Sequence, residues 1–126
     1  MKDNRAVLVK VCGLTDTMEA DYLNKNKVDF AGFVLFFPKS KRNISIEKAE
    51  QIMAELDENI KKVAVIVSPD ESEIQQINGS GFDYVQIHGE IKDRLLEQIS
   101  KPVFKAFNIK DIKNIHKYQN NAKIVG

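Results

Sequence analysis

Four side chains carry groups that could do chemistry: Cys12, Arg42, Gln86 and His88. Cys12 follows an apolar run and precedes Gly13, which lets backbone or a ligand approach closely. A cysteine acts as nucleophile or base only as its thiolate, and a free thiol titrates near about 8.5. A site built on it must therefore favour the anion. The alternative is a small buried hydrophobe. Gln86 and His88 alternate with Val85 and Ile87 in Val85-Gln86-Ile87-His88-Gly89. In a strand the period is two, so both polar groups share one face. Such a pair at a strand end suits a binding site; the alternative is a histidine bonded to a neighbouring loop. Arg42 closes the basic stretch Pro38-Lys39-Ser40-Lys41-Arg42. Its guanidinium is a planar fork suited to a carboxylate or phosphate, although a solvated basic loop is the commoner meaning of such a cluster. His116 lies among lysines and asparagines and reads as solvated surface. No P-loop or GxGxxG run is present. One cysteine and two distant histidines make a poor metal-ligand set, so no metal is expected.

The elements that must position these groups follow from periodicity. Ala6–Val11, Phe30–Phe37, Lys62–Val67, Phe82–Ile87 and Pro102–Phe107 read as buried strands, and Ala122–Val125 as the opening of a sixth. Between them lie helices. Asp16 with Glu19 opens the first, which runs to about Asn26. Ser45 caps a second, carrying Ile46, Ala49, Ile52, Met53 and Leu56 at helical spacing. Ser68-Pro69-Asp70-Glu71 reads as a serine cap with proline at the first helical position, and Gly79 and Gly81 end that helix. Leu95, Leu96 and Ile99 mark a fourth. Asn108 caps a fifth, carrying Ile109, Ile112 and Ile115. Strands alternating with helices imply parallel pairing and right-handed crossovers. The fold class is α/β, and two architectures fit: a doubly wound open sheet or a (β/α)8 barrel. Both place ligands at the carboxyl ends of the strands, where Cys12, Arg42 and His88 fall.

Composition narrows the function. The 126 residues are 43% hydrophobic and 29% charged, a globular balance suited to a single domain over 1–126. A net charge of +1 gives no reason to expect nucleic acid or an anionic membrane as partner. The longest apolar stretch, Phe30–Phe37, is far short of the roughly 20 residues a membrane span needs. The first five residues lack a signal-peptide pattern, and a lone cysteine forms no internal disulfide, so a reducing cytoplasm is expected.

Three segments together resemble one family. Val9-Lys10-Val11-Cys12-Gly13-Leu14-Thr15 is similar to the opening signature of phosphoribosylanthranilate isomerases. Ala31-Gly32-Phe33-Val34, with Pro38-Lys39-Ser40-Lys41-Arg42 and Ile44-Ser45, resembles that family's second strand and loop. Val85-Gln86-Ile87-His88-Gly89 resembles its fourth-strand signature. Each is weak alone; their order and spacing make the set specific. The resemblance implies a (β/α)8 TIM barrel and an Amadori rearrangement of a small phosphorylated sugar in tryptophan biosynthesis, without cofactor or metal. It matches Cys12 to the general base, Arg42 to the arginine near the anthranilate carboxylate, and Gln86 and His88 to residues lining the site.

The family's general acid is an aspartate at the end of strand six, and barrels of this kind hold phosphate on the loops after strands seven and eight. The sequence offers about five β-α units plus the start of strand six, an incomplete barrel. An open sheet with a short last strand and a cut barrel both fit that ending. The expectation is that the 126 residues alone are inactive, and that bare edges at strands one and six invite self-association. Two other readings stay open: a histidine-pathway type of phosphosugar isomerase, for which aspartates would replace Cys12, and a non-catalytic partial-barrel binding or assembly module.

Overall fold

The computed structural model describes residues 7–107, 115–118 and 121–126. Within them the order is β1 (Lys10–Cys12), α1 (Thr17–Asn26), β2 (Phe30–Val34), α2 (Ile46–Met53), β3 (Lys61–Val67), α3 (Glu71–Asn78), β4 (Tyr84–His88), α4 (Asp93–Gln98) and β5 (Val103–Lys105). All strand pairs are parallel and the sheet order is β1-β2-β3-β4-β5. A doubly wound sheet must reverse its strand order at a switch point. This one does not. Ile124 continues the series through a parallel bridge to Val103, with Val125 N–H donating to Val103 O at 2.8 Å. The expected opening of strand six is thus a bridge beside β5.

The two faces of the sheet differ as a barrel requires. Ala31, Phe33, Ala64, Ile66, Val85, Ile87 and Val103 join one buried cluster with Ala20 and Leu23 of α1, Ile52 of α2, Ile74 and Ile77 of α3, and Leu96 of α4. All four helices therefore cover the same face. The opposite, inner face carries Phe30, Tyr84 and Phe104, with ring centroids 4.9–5.8 Å apart, and above them Gln86 and His88. These strands form an incomplete (β/α)8 barrel.

Several boundaries differ from those the sequence suggests. The first strand is three residues long, and Val9 just before it and Val11 within it are exposed rather than buried. Among the described residues β1 pairs only with β2, so nothing covers its outer edge. β2 stops at Val34 instead of Phe37. Phe36 turns the chain at φ 57°, and Val34 bridges to Asn43. α2 ends at Met53, and Leu56 is buried just beyond it. β4 lies two residues later at its start and one at its end. β5 is confined to Val103–Lys105.

α1 opens as expected: Asp16 and Glu19 form a full capping box. Ser45 likewise caps α2. α3 does not start at Ser68. Its cap is Asp70, whose carboxylate accepts from Glu73 N at 2.9 Å while Glu73 Oε1 accepts from Asp70 N at 3.0 Å. Ser68 instead finishes the strand, its N–H donating to His88 O at 3.0 Å. The expected fifth helix falls mainly on 108–114, outside the described residues; Ile115 begins a short 3-10 turn. Among the described residues, no helix is long and apolar enough to cross a membrane.

Candidate active site

The site is built at the carboxyl ends of β1, β2 and β4. Cys12 is the last residue of β1 and pairs with Gly32 of β2. That register favours a glycine. A Cβ on Gly32 would lie 3.0 Å from Cys12 Sγ and 3.3 Å from its Cα, so a larger residue would push the cysteine aside by a few tenths of an ångström. Among the described residues Cys12 is exposed, not packed as a small hydrophobe. Directly after it, Gly13 adopts φ +92°, a region that favours glycine. The turn donates Gly13 N–H to Gly32 O at 2.9 Å and aims Gly13 O at the β2–α2 loop.

That loop is a folded turn, not a solvated coil. Asn43 Oδ1 accepts from Phe37 N at 2.7 Å, Ser40 N donates to Phe37 O at 3.0 Å, and Ile44 N donates to Val34 O at 3.0 Å. Ser40 Oγ accepts from Arg42 N at 3.1 Å. Arg42 is thereby laid across Gly13: its Nη1 donates to Gly13 O at 3.1 Å and its stem packs where a Cβ of Gly13 would be. One N–H of the fork is used; four others remain available in number for a carboxylate or phosphate.

A cavity of about 170 Å³ adjoins this pair, lined by Cys12, Gly13 and Arg42 and by Glu19, Tyr22 and Leu23 of α1. Ligand pockets usually span roughly 300–1,000 Å³, so it suits only part of a ligand. The Glu19 carboxylate there is already spent on capping, accepting from Thr15 N at 2.7 Å and Asp16 N at 3.0 Å.

Gln86 and His88 share the inner face of β4, as period two requires, and Gln86 Nε2 lies 3.1 Å from His88 Nε2. Lys10, two residues before Cys12 on the same face of β1, donates to Gln86 Oε1. The four expected residues therefore fall into two groups: Cys12 and Arg42 line one cavity, with Arg42 bonded to the carbonyl of Gly13, and Gln86 contacts His88; Lys10 on β1 links the second group to the strand that carries Cys12. The pKa of His88 is lowered from 6.5 by burial first, then by the charges of Lys10 and Lys105. His116 is exposed, as expected.

Sequence reasoning missed Lys10 as a site residue. The signal was available: a lysine inside an apolar run, at period two from Cys12, points to the inner face. Among the described residues, no three His, Cys, Asp or Glu side chains gather where an ion could sit.

The family model for N-(5'phosphoribosyl)anthranilate (PRA) isomerase matches residues 9–125. The chain belongs to this family. An N-(5'-phosphoribosyl)anthranilate isomerase of Listeria innocua is 39% identical over 118 residues, which cover 90% of this chain and 57% of the relative. One of Clostridium acetobutylicum is 34% identical over 116 residues, covering 90% and 56%. The crystal structure of phosphoribosyl anthranilate isomerase from Thermotoga maritima superposes with TM-score 0.78 at 34% identity, covering 90% of this chain and 58% of that one. A structure of a phosphoribosyl anthranilate isomerase in complex with reduced 1-(o-carboxyphenylamino)-1-deoxyribulose 5-phosphate matches equally well, over 61% of its length. The chain thus spans a little over half the length of these family members. Its incomplete barrel corresponds to part of theirs.

Proposed function

We propose that the protein carrying this chain isomerises N-(5'-phosphoribosyl)anthranilate to 1-(2-carboxyphenylamino)-1-deoxyribulose 5-phosphate, in tryptophan biosynthesis. The observation that carries the reading is Cys12 beside Arg42 at the ends of β1 and β2, inside the segment that the family model matches. The reaction needs an acid and a base. Protonation of the furanose ring oxygen breaks its bond to C1 and leaves an iminium. Loss of the proton from C2 then gives an enolamine, which tautomerises to the ketoamine. Cys12 as thiolate takes the C2 proton. The Arg42 fork holds the anthranilate carboxylate, and Gln86 and His88 line the site. By the family resemblance, the general acid and the phosphate loops belong to the part of the relatives' length that this chain does not span.

Two variants of the full-length protein and the chain itself test this, with phosphoribosylanthranilate generated in situ. Cys12→Ala should lower turnover about 10²–10⁴-fold with little change in melting temperature, because the thiol is exposed. Arg42→Lys keeps the charge but loses the fork, so KM should rise more than kcat falls. The 126-residue polypeptide should show no turnover above background. Activity of Cys12→Ala within about tenfold of wild type would remove the base assignment.

A further inference from the structure

The isomerase reading gives no role to Lys10, yet Lys10 starts a hydrogen-bond chain that crosses the inner face. Its ammonium donates to Gln86 Oε1, and Gln86 Nε2 faces His88 Nε2 at 3.1 Å. Counting donors fixes each group in turn. An ammonium has donors only, so it takes the oxygen end of the amide. The other end is an NH₂ group, again donors only, so the histidine nitrogen facing it must accept. That nitrogen therefore carries no proton, and a neutral ring holds its proton on Nδ1.

The lysine is what breaks the symmetry of the arrangement. With the amide turned over, its NH₂ would face the ammonium, two donors in contact. With a non-donor at position 10, both amide orientations stay open, and His88 can equally donate from Nε2 to the amide oxygen. We propose that Lys10 is a positioning residue: by orienting the Gln86 amide across the inner face, it holds His88 in the tautomer that carries its proton on Nδ1. His88 then presents Nδ1–H as its donor and never Nε2–H. The surroundings agree with a neutral ring. The charges that act on His88 are Lys10 from β1 and Lys105 from β5, both cationic, and the Ser68 N–H from the end of β3 holds its backbone carbonyl. The proposal rests on the isomerase reading only for the use of that donor; the tautomer is a property of the chain without substrate.

Nitrogen-15 labelling of histidine and long-range nitrogen–proton correlation spectra, recorded on the substrate-free chain above the histidine titration range, decide it. The exposed His116 is assigned with His116→Gln. Wild-type His88 should show one protonated and one unprotonated ring nitrogen, with the proton on Nδ1. Lys10→Met should move the two nitrogen signals toward each other, as tautomers interconvert. Lys10→Arg, which supplies only donors, should restore the wild-type pattern. Gln86→Leu should release the tautomer as Lys10→Met does, and it replaces that variant if Lys10→Met gives no folded amide spectrum. A wild-type proton on Nε2, or a pattern unchanged in both Lys10→Met and Gln86→Leu, overturns the proposal. Loss of the isomerase reading would leave these spectra untouched.

Discussion

His88 shows how a single side chain ties the inner face to pH. Its pKa in the fold lies below 6.5, because burial and then Lys10 and Lys105 oppose the charged ring. Between the folded value and 6.5 the unfolded chain binds the proton more readily than the fold does. Stability therefore rises with pH across that window. It is unimpaired above 6.5 and falls as the pH drops through the folded value. Urea unfolding at a series of pH values should show this slope in wild type and a flatter one in His88→Gln. A stability difference between the two that stays constant across the window would mean that the fold does not oppose the charge. At this scale much was legible. Period two put Gln86 and His88 on one face, and the strand-end position of Cys12 was right. Lys10 was hidden because a charged residue within an apolar run was counted as part of the run. The contact of Arg42 with Gly13 depends on a loop fold set by Asn43 and Ser40, and no periodicity reports that.

At the scale of elements, the sequence located every strand and helix of the described residues but misplaced several ends. α3 is the informative case. Ser68, Asp70 and Glu73 offer two competing caps, and the competition is decided outside the helix. The Ser68 N–H is drawn to His88 O on the neighbouring strand, which leaves Asp70 and Glu73 to close the box. Asp70→Ala removes the acceptor for Glu73 N and should destabilise the fold by about 0.5–2 kcal/mol. Ser68→Ala removes no helix cap and should change stability by less. Thermal or urea unfolding of both variants compares them directly; a larger loss from Ser68→Ala would return the cap to the serine. β1 and β2 teach a related lesson. Apolar composition marks where a strand can lie, while partners and a positive φ at Phe36 determine where it stops.

For the molecule as a whole, alternation of strands and helices could not separate a barrel from a doubly wound sheet, since both share it. Two observations separate them: the unbroken order β1-β2-β3-β4-β5, and helices that all pack on one face. The same arrangement leaves β1 with a single neighbour among the described residues. Around that edge Val7, Leu8, Val9 and Val11 are 65%, 63%, 45% and 37% exposed, and Val125 at the other end of the series is 56% exposed. Exposed, uncharged apolar strand edges template pairing with another chain, and natural edges are blunted by lysine or proline. Here Lys10 is turned inward to Gln86, so its charge does not guard the edge. The 126-residue polypeptide should therefore associate with second copies of itself through this edge. Sedimentation should give a mass above 14.3 kDa that grows with concentration. Val9→Lys places a charge on the exposed side of the edge and should shift the distribution toward monomer without touching Cys12 or the core. A 14.3 kDa species at every concentration would mean that a short, twisted edge of three residues is too small to recruit a partner.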